Sequence, residues 1–350
     1  MVDSRISVVV PLCNGADHCV AAIASVLDQT RPPDEVIVVD DGSDDLGADA
    51  IEEFVAERRT AVAVKIERQT NQGQSAARNA GVRLASGDLI AFCDQDDRWT
   101  PTHLEVLAGR LDAAPADVAW AYSDFDEVDG TGRLVTRSYR ARHGVVGDLR
   151  SVDQVLARDL MVLPSASVLR RDALEAVGGF DPELSGYEDD DLFLRMFRAG
   201  YRAVEVPDAL TIYRVHADGS SSSSSFQRSR VRFLAKVRAA VPDHERSNRY
   251  WVHDVLYPRL HEATLLEYAA MLRAGDRAAA AALGGTATDL ARTAGARGRR
   301  RRLTCWVLRH PRLLRASAQV LRLVPTALRP RTGPGIRAVL AATGVRTRPV

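Results

Sequence analysis

Residues 87–99, GDLIAFCDQDDRW, decide the fold. The apolar run Leu89-Ile90-Ala91-Phe92 is too short for a helix and reads as a buried strand. It opens directly into three carboxylates, Asp94, Asp96 and Asp97, and then Trp99. Carboxylates at the C-terminal end of a strand stand where open α/β sheets bind ligands. Crowded together they raise one another's pKa. A hard divalent cation with oxygen ligands, Mg²⁺ or Mn²⁺, relieves that repulsion. The other reading of the same residues is a solvated acidic turn capping the next helix, and the segment alone leaves both open.

Working outward, RISVVVPL at 5–12 and DEVIVVDD at 34–41 are further apolar runs of strand length that end in polar or turn residues. Helical spacing fills 17–29, where Val20, Ile23, Ala24 and Leu27 share a face; helices are also predicted over 51–59 and 75–85, and a strand over 62–67. This alternation predicts a parallel sheet wound by helices on both faces. Right-handed crossovers then bring the strand ends at 11–14, 40–44 and 94–97 to one edge, the expected active site. Further on, strands are predicted over 118–122, 167–170, 204–207 and 210–213. Helices are predicted over 153–157, 172–177 (stopped by Gly178-Gly179) and 189–199 (closed by Gly200). The serine run at 220–225 has nothing to bury and is expected to be mobile.

A chain of 350 residues implies two domains, or one domain and an extension. Its net charge of +1 conceals an asymmetry: residues 226–350 hold 25 Lys and Arg against 7 Asp and Glu, whereas residues 1–225 hold 22 against 39. Such a split points to two pieces with different partners. The four cysteines form neither a CxxC pair nor a zinc spacing, which fits a reducing compartment. The chain enters a strand almost at once and has no signal-peptide pattern and no apolar stretch of spanning length, so a cytoplasmic protein is expected. In 303–324, Leu303, Trp306, Val307, Leu314, Leu321 and Val324 lie on one side of a helical wheel, with Arg309, Arg312, Arg315 and Arg322 on the other. That segment suits either packing on the catalytic domain with a solvated Arg face or docking on the inner, anionic face of a membrane. Nothing near the Arg299–Arg302 cluster supports base readout, and no nucleic acid is expected.

Three further segments carry chemistry. VVVPLCN, 8–14, puts a polar turn at the end of the first strand; VVDDGSDD, 38–45, offers carboxylates that can accept a hydrogen bond from a pyrimidine imide, with Gly42 permitting close backbone approach. NQGQSAARNAG, 71–81, is a loop through Gly73 into a helix N-terminus, a geometry that favours diphosphate, with Arg78 able to add a charge-assisted contact.

The order of these motifs resembles that of the family 2 glycosyltransferases: a strand ending in Pro and Asn, a DDGS turn, N-x-G followed by ARN-x-G, and DxDD followed by Trp. The resemblance continues through PSASVLRR at 164–171, GGFD at 178–181, YEDDDLFLRMFRAGY at 187–201 and YRVH at 213–216, covering 5 to about 220. It implies a GT-A type nucleotide-binding domain in 1–225, with a donor half (1–100) and an acceptor and catalytic half (101–225), followed by a helical, Arg-rich region in 226–350. It also implies an inverting transfer from a nucleoside-diphosphate sugar to the hydroxyl of a glycan, a lipid-linked acceptor or a small molecule, as in cell-surface polysaccharide synthesis. Carried over by position, Asp41 and Asp40 would hold the nucleobase with Pro11, Asn14 and Gly73 nearby, and Arg78 would lie by the nucleotide. Asp94-Gln95-Asp96 stands as the DxD-type motif for Mn²⁺ or Mg²⁺, with Asp96 the first ligand, Asp97 its rival and His216 assisting. Asp189 in the Glu188-Asp189 pair matches the catalytic base. The serine run would fold over the bound donor as a lid. A nucleotidyltransferase would carry a Gly-rich triphosphate loop where this chain has Pro11-Leu12-Cys13-Asn14. A non-catalytic nucleotide-sugar binder would keep binding but not turnover.

Overall fold

Val and Ile dominate the first strand, β1 (Ile6–Leu12), and all seven of its residues are buried. A strand covered on both faces needs such a continuous apolar run. β2 (Glu35–Asp41), β3 (Ala63–Gln69) and β4 (Leu89–Phe92) follow, separated by α1 (Cys19–Leu27), α2 (Gly47–Arg58) and α3 (Gln74–Leu84). β1 pairs in parallel with β2 and β4, and β2 with β3, so the predicted parallel winding holds for this half. β3 is the edge strand, and its half-exposed pattern shows it.

This computed structural model describes residues 3–145, 152, 156, 161–215, 223–241 and 251–295. Next along the chain come β5 (Arg98–Trp99), α4 (His103–Asp112), β6 (Val118–Asp129), β7 (Leu134–Thr136), α5 (Tyr139–Arg142), β8 (Ser167–Arg170), α6 (Arg171–Ala176), α7 (Glu188–Arg198) and β9 (Arg202–Val215). They complete one mixed nine-stranded sheet in the order β3-β2-β1-β4-β8-β6-β9-β5, with β7 on β6. β8 enters antiparallel between β4 and β6, whereas β6 and β9 run parallel. The core lies between sheet and helices, with Ile23 and Val26 of α1 and Leu104, Leu107 and Leu111 of α4 against Val8, Val10, Ala91 and Val206. Each such Val, Leu or Ile side chain, fully buried, contributes roughly 1.5–3 kcal/mol.

Two of the expectations that change concern the strands after 203 and the serine run. The strands predicted over 204–207 and 210–213 are one strand, because the ladder shifts register between Val206 opposite Ser123 and Ala209 opposite Asp124. Pro207 has no N–H to donate, so the chain passes it as a bulge and then resumes pairing. The serine run is not loop throughout: Ser223 caps the helix α8 (Ser224–Ala240), its Oγ accepting the Phe226 N–H at 3.1 Å. The helix predicted over 153–157 falls largely outside the described residues, as do His216, Arg299–Arg302, Cys305 and 303–324.

The chain divides into two compact units, Met1–Val155 with Asp159–Ser220 and Leu156–Arg158 with Ser221–Val350. Within the second, α8 is followed by a π-helical turn over Trp251–Leu256, α9 (Tyr257–Ala274) and α10 (Arg277–Thr293). Arg230 on α8 is buried against Glu267 at 2.7 Å and Thr264 at 2.7 Å, both on α9. Gly275 closes α9 in the left-handed conformation, and Asp276 caps α10.

Candidate active site

Parallel pairing puts the C-terminal ends of β1, β2 and β4 on one edge, and their polar continuations meet there. Pro11 is buried in β1 opposite Val39. Asn14 takes the left-handed conformation at φ 51°, which its short polar side chain tolerates. Its Oδ1 accepts the Asp44 N–H at 2.8 Å, and its own N–H donates to Ser43 Oγ at 3.0 Å. Gly42 has φ 73°, and a Cβ there would stand 2.8 Å from the Asn71 nitrogen.

Asp40 and Asp41 are both buried. Asp40 accepts the Ser43 N–H at 3.0 Å. Asp41 accepts from Gln69 Nε2 at 2.7 Å and from the N–H groups of Gln72 at 2.8 Å and Gly73 at 2.7 Å. The DDGS turn and the loop into α3 are thus one hydrogen-bonded body, with Gly73 at its junction.

The α3 helix is the spine of the site. Ser75 Oγ donates to the Leu184 C=O at 2.8 Å. Asn79 clamps the backbone of Phe180 with both ends of its amide, Oδ1 accepting the N–H at 2.9 Å and Nδ2 donating to the C=O at 2.8 Å. Between them Arg78, 3 % exposed, reaches Asp94 at 2.7 Å with one nitrogen and Glu188 at 3.1 Å with the other, its guanidinium over the Phe180 ring. Burial alone would lower the pKa of Arg78, but the two carboxylates outweigh it and hold the residue charged. Its charge is therefore shared between these partners, and Arg78 stands as the link between the loop after β4 and the start of α7.

Past β4 the three aspartates part company. Asp94 and Asp96 are half-buried, whereas Asp97 is only 1 % exposed. The Asp94 N–H is held by Ser165 Oγ at 2.8 Å. Asp97 Oδ1 accepts the Arg214 N–H at 3.0 Å. Among the described residues its Oδ2 makes no hydrogen bond within normal limits, although the Ser165 hydroxyl is near enough to offset part of the burial penalty. Burial, reinforced by Asp96 and Asp94, pushes the Asp97 carboxyl well above the usual range. Trp99 is anchored by its indole N–H to the Ser165 C=O at 2.7 Å. Among the described residues no three His, Cys, Asp or Glu side chains converge on a ready cation site.

The acidic run opens α7 after Tyr187, which is left-handed at φ 61°. Four carboxylates in the first turn suit the positive end of a helix, and the structure sorts them. Glu188 is buried against Arg78 and also accepts from Gln74 Nε2. Asp191 pairs with Arg195 at 2.9 Å, and Asp190 is buried. Asp189 is the half-buried one, with Oδ1 accepting the Asp190 N–H at 2.8 Å.

All the named residues except His216, which lies outside the described part, thus fall on the edge of β1, β2 and β4 or on the elements tied to it by α3. The sequence reading missed Ser75, Asn79 and Ser165. All three lie inside the quoted segments 71–81 and 164–171, but their partners are 71 to 109 residues away. No local pattern announces such contacts.

The model of the family described as Glycosyl transferase family 2 matches residues 7–178. The uncharacterized glycosyltransferase YwdF of Bacillus subtilis (strain 168) is 32 % identical over 238 residues, spanning 67 % of this chain and 82 % of that protein. Glycosyltransferase GlyG of Streptococcus pneumoniae serotype 4 is 27 % identical over 240 residues, 66 % of this chain and 77 % of the relative. Among solved structures, S. aureus TarS 1–349 superposes with a TM-score of 0.58 at 18 % identity, covering 82 % of this chain and 80 % of that one. The mannosyltransferase PcManGT of Pyrobaculum calidifontis, in complex with GDP-Man and Mn²⁺, superposes with a TM-score of 0.54 at 23 % identity, covering 99 % and 87 %. These likenesses establish a shared GT-A type fold.

Proposed function

Because this chain belongs to glycosyl transferase family 2 and is a glycosyltransferase, we propose that it moves a sugar, with inversion, from a nucleoside diphosphate to an acceptor hydroxyl. The observation that carries this reading is the Arg78 bridge. It ties the carboxylate loop after β4 to the acidic start of α7, 94 residues further on, through contacts of 2.7 Å and 3.1 Å. A donor-side loop and a set of candidate bases are thereby fixed side by side.

The nucleoside end of the donor is assigned to Pro11, Asn14, Asp40, Asp41 and Gly73. Both Asp41 oxygens are already hydrogen-bonded to the loop 69–73, so the site is preshaped before a base enters it. Asp189 is the proposed base: as the acceptor oxygen bonds to the anomeric carbon, Asp189 takes the hydroxyl proton. The bond from that carbon to the diphosphate oxygen breaks, and its electron pair leaves with the nucleoside diphosphate. Glu188, held by Arg78 and Gln74, fixes the helix end from which Asp189 projects.

The residues present fit a hard divalent cation. Half-buried Asp94 and Asp96 and the unsatisfied Asp97 Oδ2 are oxygen donors, and one or two carboxylates suffice for an ion that keeps waters and substrate phosphates. Mn²⁺ or Mg²⁺, held by Asp96 with Asp94 or Asp97 and by His216, would neutralise charge on the departing diphosphate. Residues 1–100 serve as the donor half, 101–225 as the acceptor and catalytic half, and 226–350 as a separate helical region. The acceptor is assigned to a cell-surface glycan or its lipid-linked precursor, with the basic stretch 303–324 resting on an anionic membrane. No helix among the described residues is long and apolar enough to cross one.

Thermal stability against UDP, GDP, dTDP and CDP, with and without Mn²⁺, tests the donor reading. A ligand at 100 times its Kd stabilises by about 2.7 kcal/mol, a shift of several degrees. Asp189→Asn should keep that shift while losing about 10²–10⁴-fold in transfer rate. Undiminished turnover in this variant would remove Asp189 as the base.

A further inference from the structure

β1 and β4 pair last at Val9 opposite Phe92 and then diverge. Beyond that point a side chain takes over the pairing. Gln95 Oε1 accepts the Cys13 N–H at 2.7 Å, and Gln95 Nε2 donates to the Cys13 C=O at 3.0 Å. A primary amide that meets both polar groups of one residue does what a neighbouring strand would do. The fit is close on the other side too: a Cβ on Gly15 would stand 2.6 Å from both Cδ and Oε1 of Gln95. The same short turn is tied away from Gln95 to the loop after β2, by the bonds between Asn14 and residues 43 and 44 and by the Ala16 N–H to Asp45 Oδ2 at 2.9 Å. Asn71 Nδ2 also reaches Cys13 Sγ at 3.3 Å.

We propose that Gln95 is a positioning residue that sets the Cys13–Ala16 turn in register with the carboxylate loop Asp94–Asp97, so that the two ends of one nucleoside diphosphate are bound as a unit. The proposal rests on the donor reading given above, with the nucleoside at the turn and the diphosphate at the loop. Gln95 stands between Asp94 and Asp96 and touches the backbone of the turn, so it acts on the donor only through the two loops it joins. Its effect belongs to pre-organisation. Each end of the ligand binds its own loop with or without Gln95, but the gain from binding both ends at once depends on their spacing.

The experiment compares the full chain with Gln95→Ala, Gly15→Ala and the double variant by titration calorimetry in MnCl₂. The probes are UDP, GDP, dTDP and CDP, then the nucleoside alone and pyrophosphate alone for whichever base binds. The expected result for Gln95→Ala is a diphosphate Kd weaker by about tenfold, as two lost hydrogen bonds predict, with nucleoside and pyrophosphate each within about twofold of the parent protein. Gly15→Ala, which displaces the amide sterically, should reproduce that loss, and the double variant should be no weaker than either single one. Equal diphosphate binding by Gln95→Ala overturns the proposal. So does equal weakening of all three ligands, which would mark a purely structural residue. Failure of the parent protein to bind any of the four nucleotides overturns the donor reading itself, and the proposal with it.

Discussion

His103 opens α4 fully buried, its ring stacked on Trp99 with centroids 4.2 Å apart. Nδ1 lies 3.3 Å from the Leu210 C=O and from Thr211 Oγ1, and Nε2 is buried without a hydrogen bond among the described residues. Burial pushes its pKa from 6.5 down to about 3, against a smaller opposing effect of the Leu210 carbonyl. The folded protein therefore resists the proton that the unfolded chain accepts. The stability tied to His103 is complete above pH 6.5 and is lost as pH falls from there towards 3, at up to about 1.4 kcal/mol per pH unit. Melting temperature should drop by several degrees between pH 6.5 and 5, and His103→Phe, which keeps the stack, should flatten that segment of the profile. An unchanged slope would mean that the proton goes elsewhere. The acidic run 188–191 shows what single residues conceal in a sequence. Four carboxylates in a row are equivalent on paper, whereas in the fold Glu188 is held by Arg78 and Gln74, Asp191 is held by Arg195, and Asp189 is half-buried.

At the scale of elements, α3 meets β1 at a glycine. A Cβ on Gly81 would come within 2.3 Å of Val9 Cγ1, on a residue that is fully buried. Gly81→Ala gains up to about 1 kcal/mol of helix propensity, but overpacking a filled core costs about 1–3 kcal/mol, so the net effect is a loss. The denaturation midpoint should fall with the m-value unchanged, and Val9→Ala in that background should cost less than it does alone. A midpoint at or above that of the parent protein would show that β1 and α3 can part. The same physics explains which elements could be read in advance. β4 and β8 match their predicted limits because short apolar runs between polar residues have one way to be buried. β6 was read only to 122 but runs to Asp129, since its later residues alternate with acids. β9 reads as two strands in the sequence because Pro207 breaks the propensity, whereas in the fold the ladder only bulges there and resumes at Ala209.

For the whole molecule, charge is unevenly divided along the chain, with an acidic excess in 1–225 and a basic one in 226–350. Near an anionic surface each Lys or Arg adds about 1 kcal/mol of attraction. The full chain should therefore sediment with vesicles containing anionic lipid and not with neutral ones. Replacing Arg309, Arg312, Arg315 and Arg322 together by Gln should release it by roughly three orders of magnitude in partition coefficient. Equal partitioning of both forms would remove the membrane from the reading. Within the first unit, three ties of α3, from Ser75 to Leu184, Asn79 to Phe180 and Arg78 to Glu188, each close a loop of more than 100 residues. Contacts so distant in sequence form late, after loop-closure entropy has been met. A chain still being synthesised, with β1 to β4 already out of the ribosome, therefore has its carboxylate loop but not the partners that lock it. The nascent protein passes through a stage with a pairable sheet and no working centre, and only translation past residue 188 ends it.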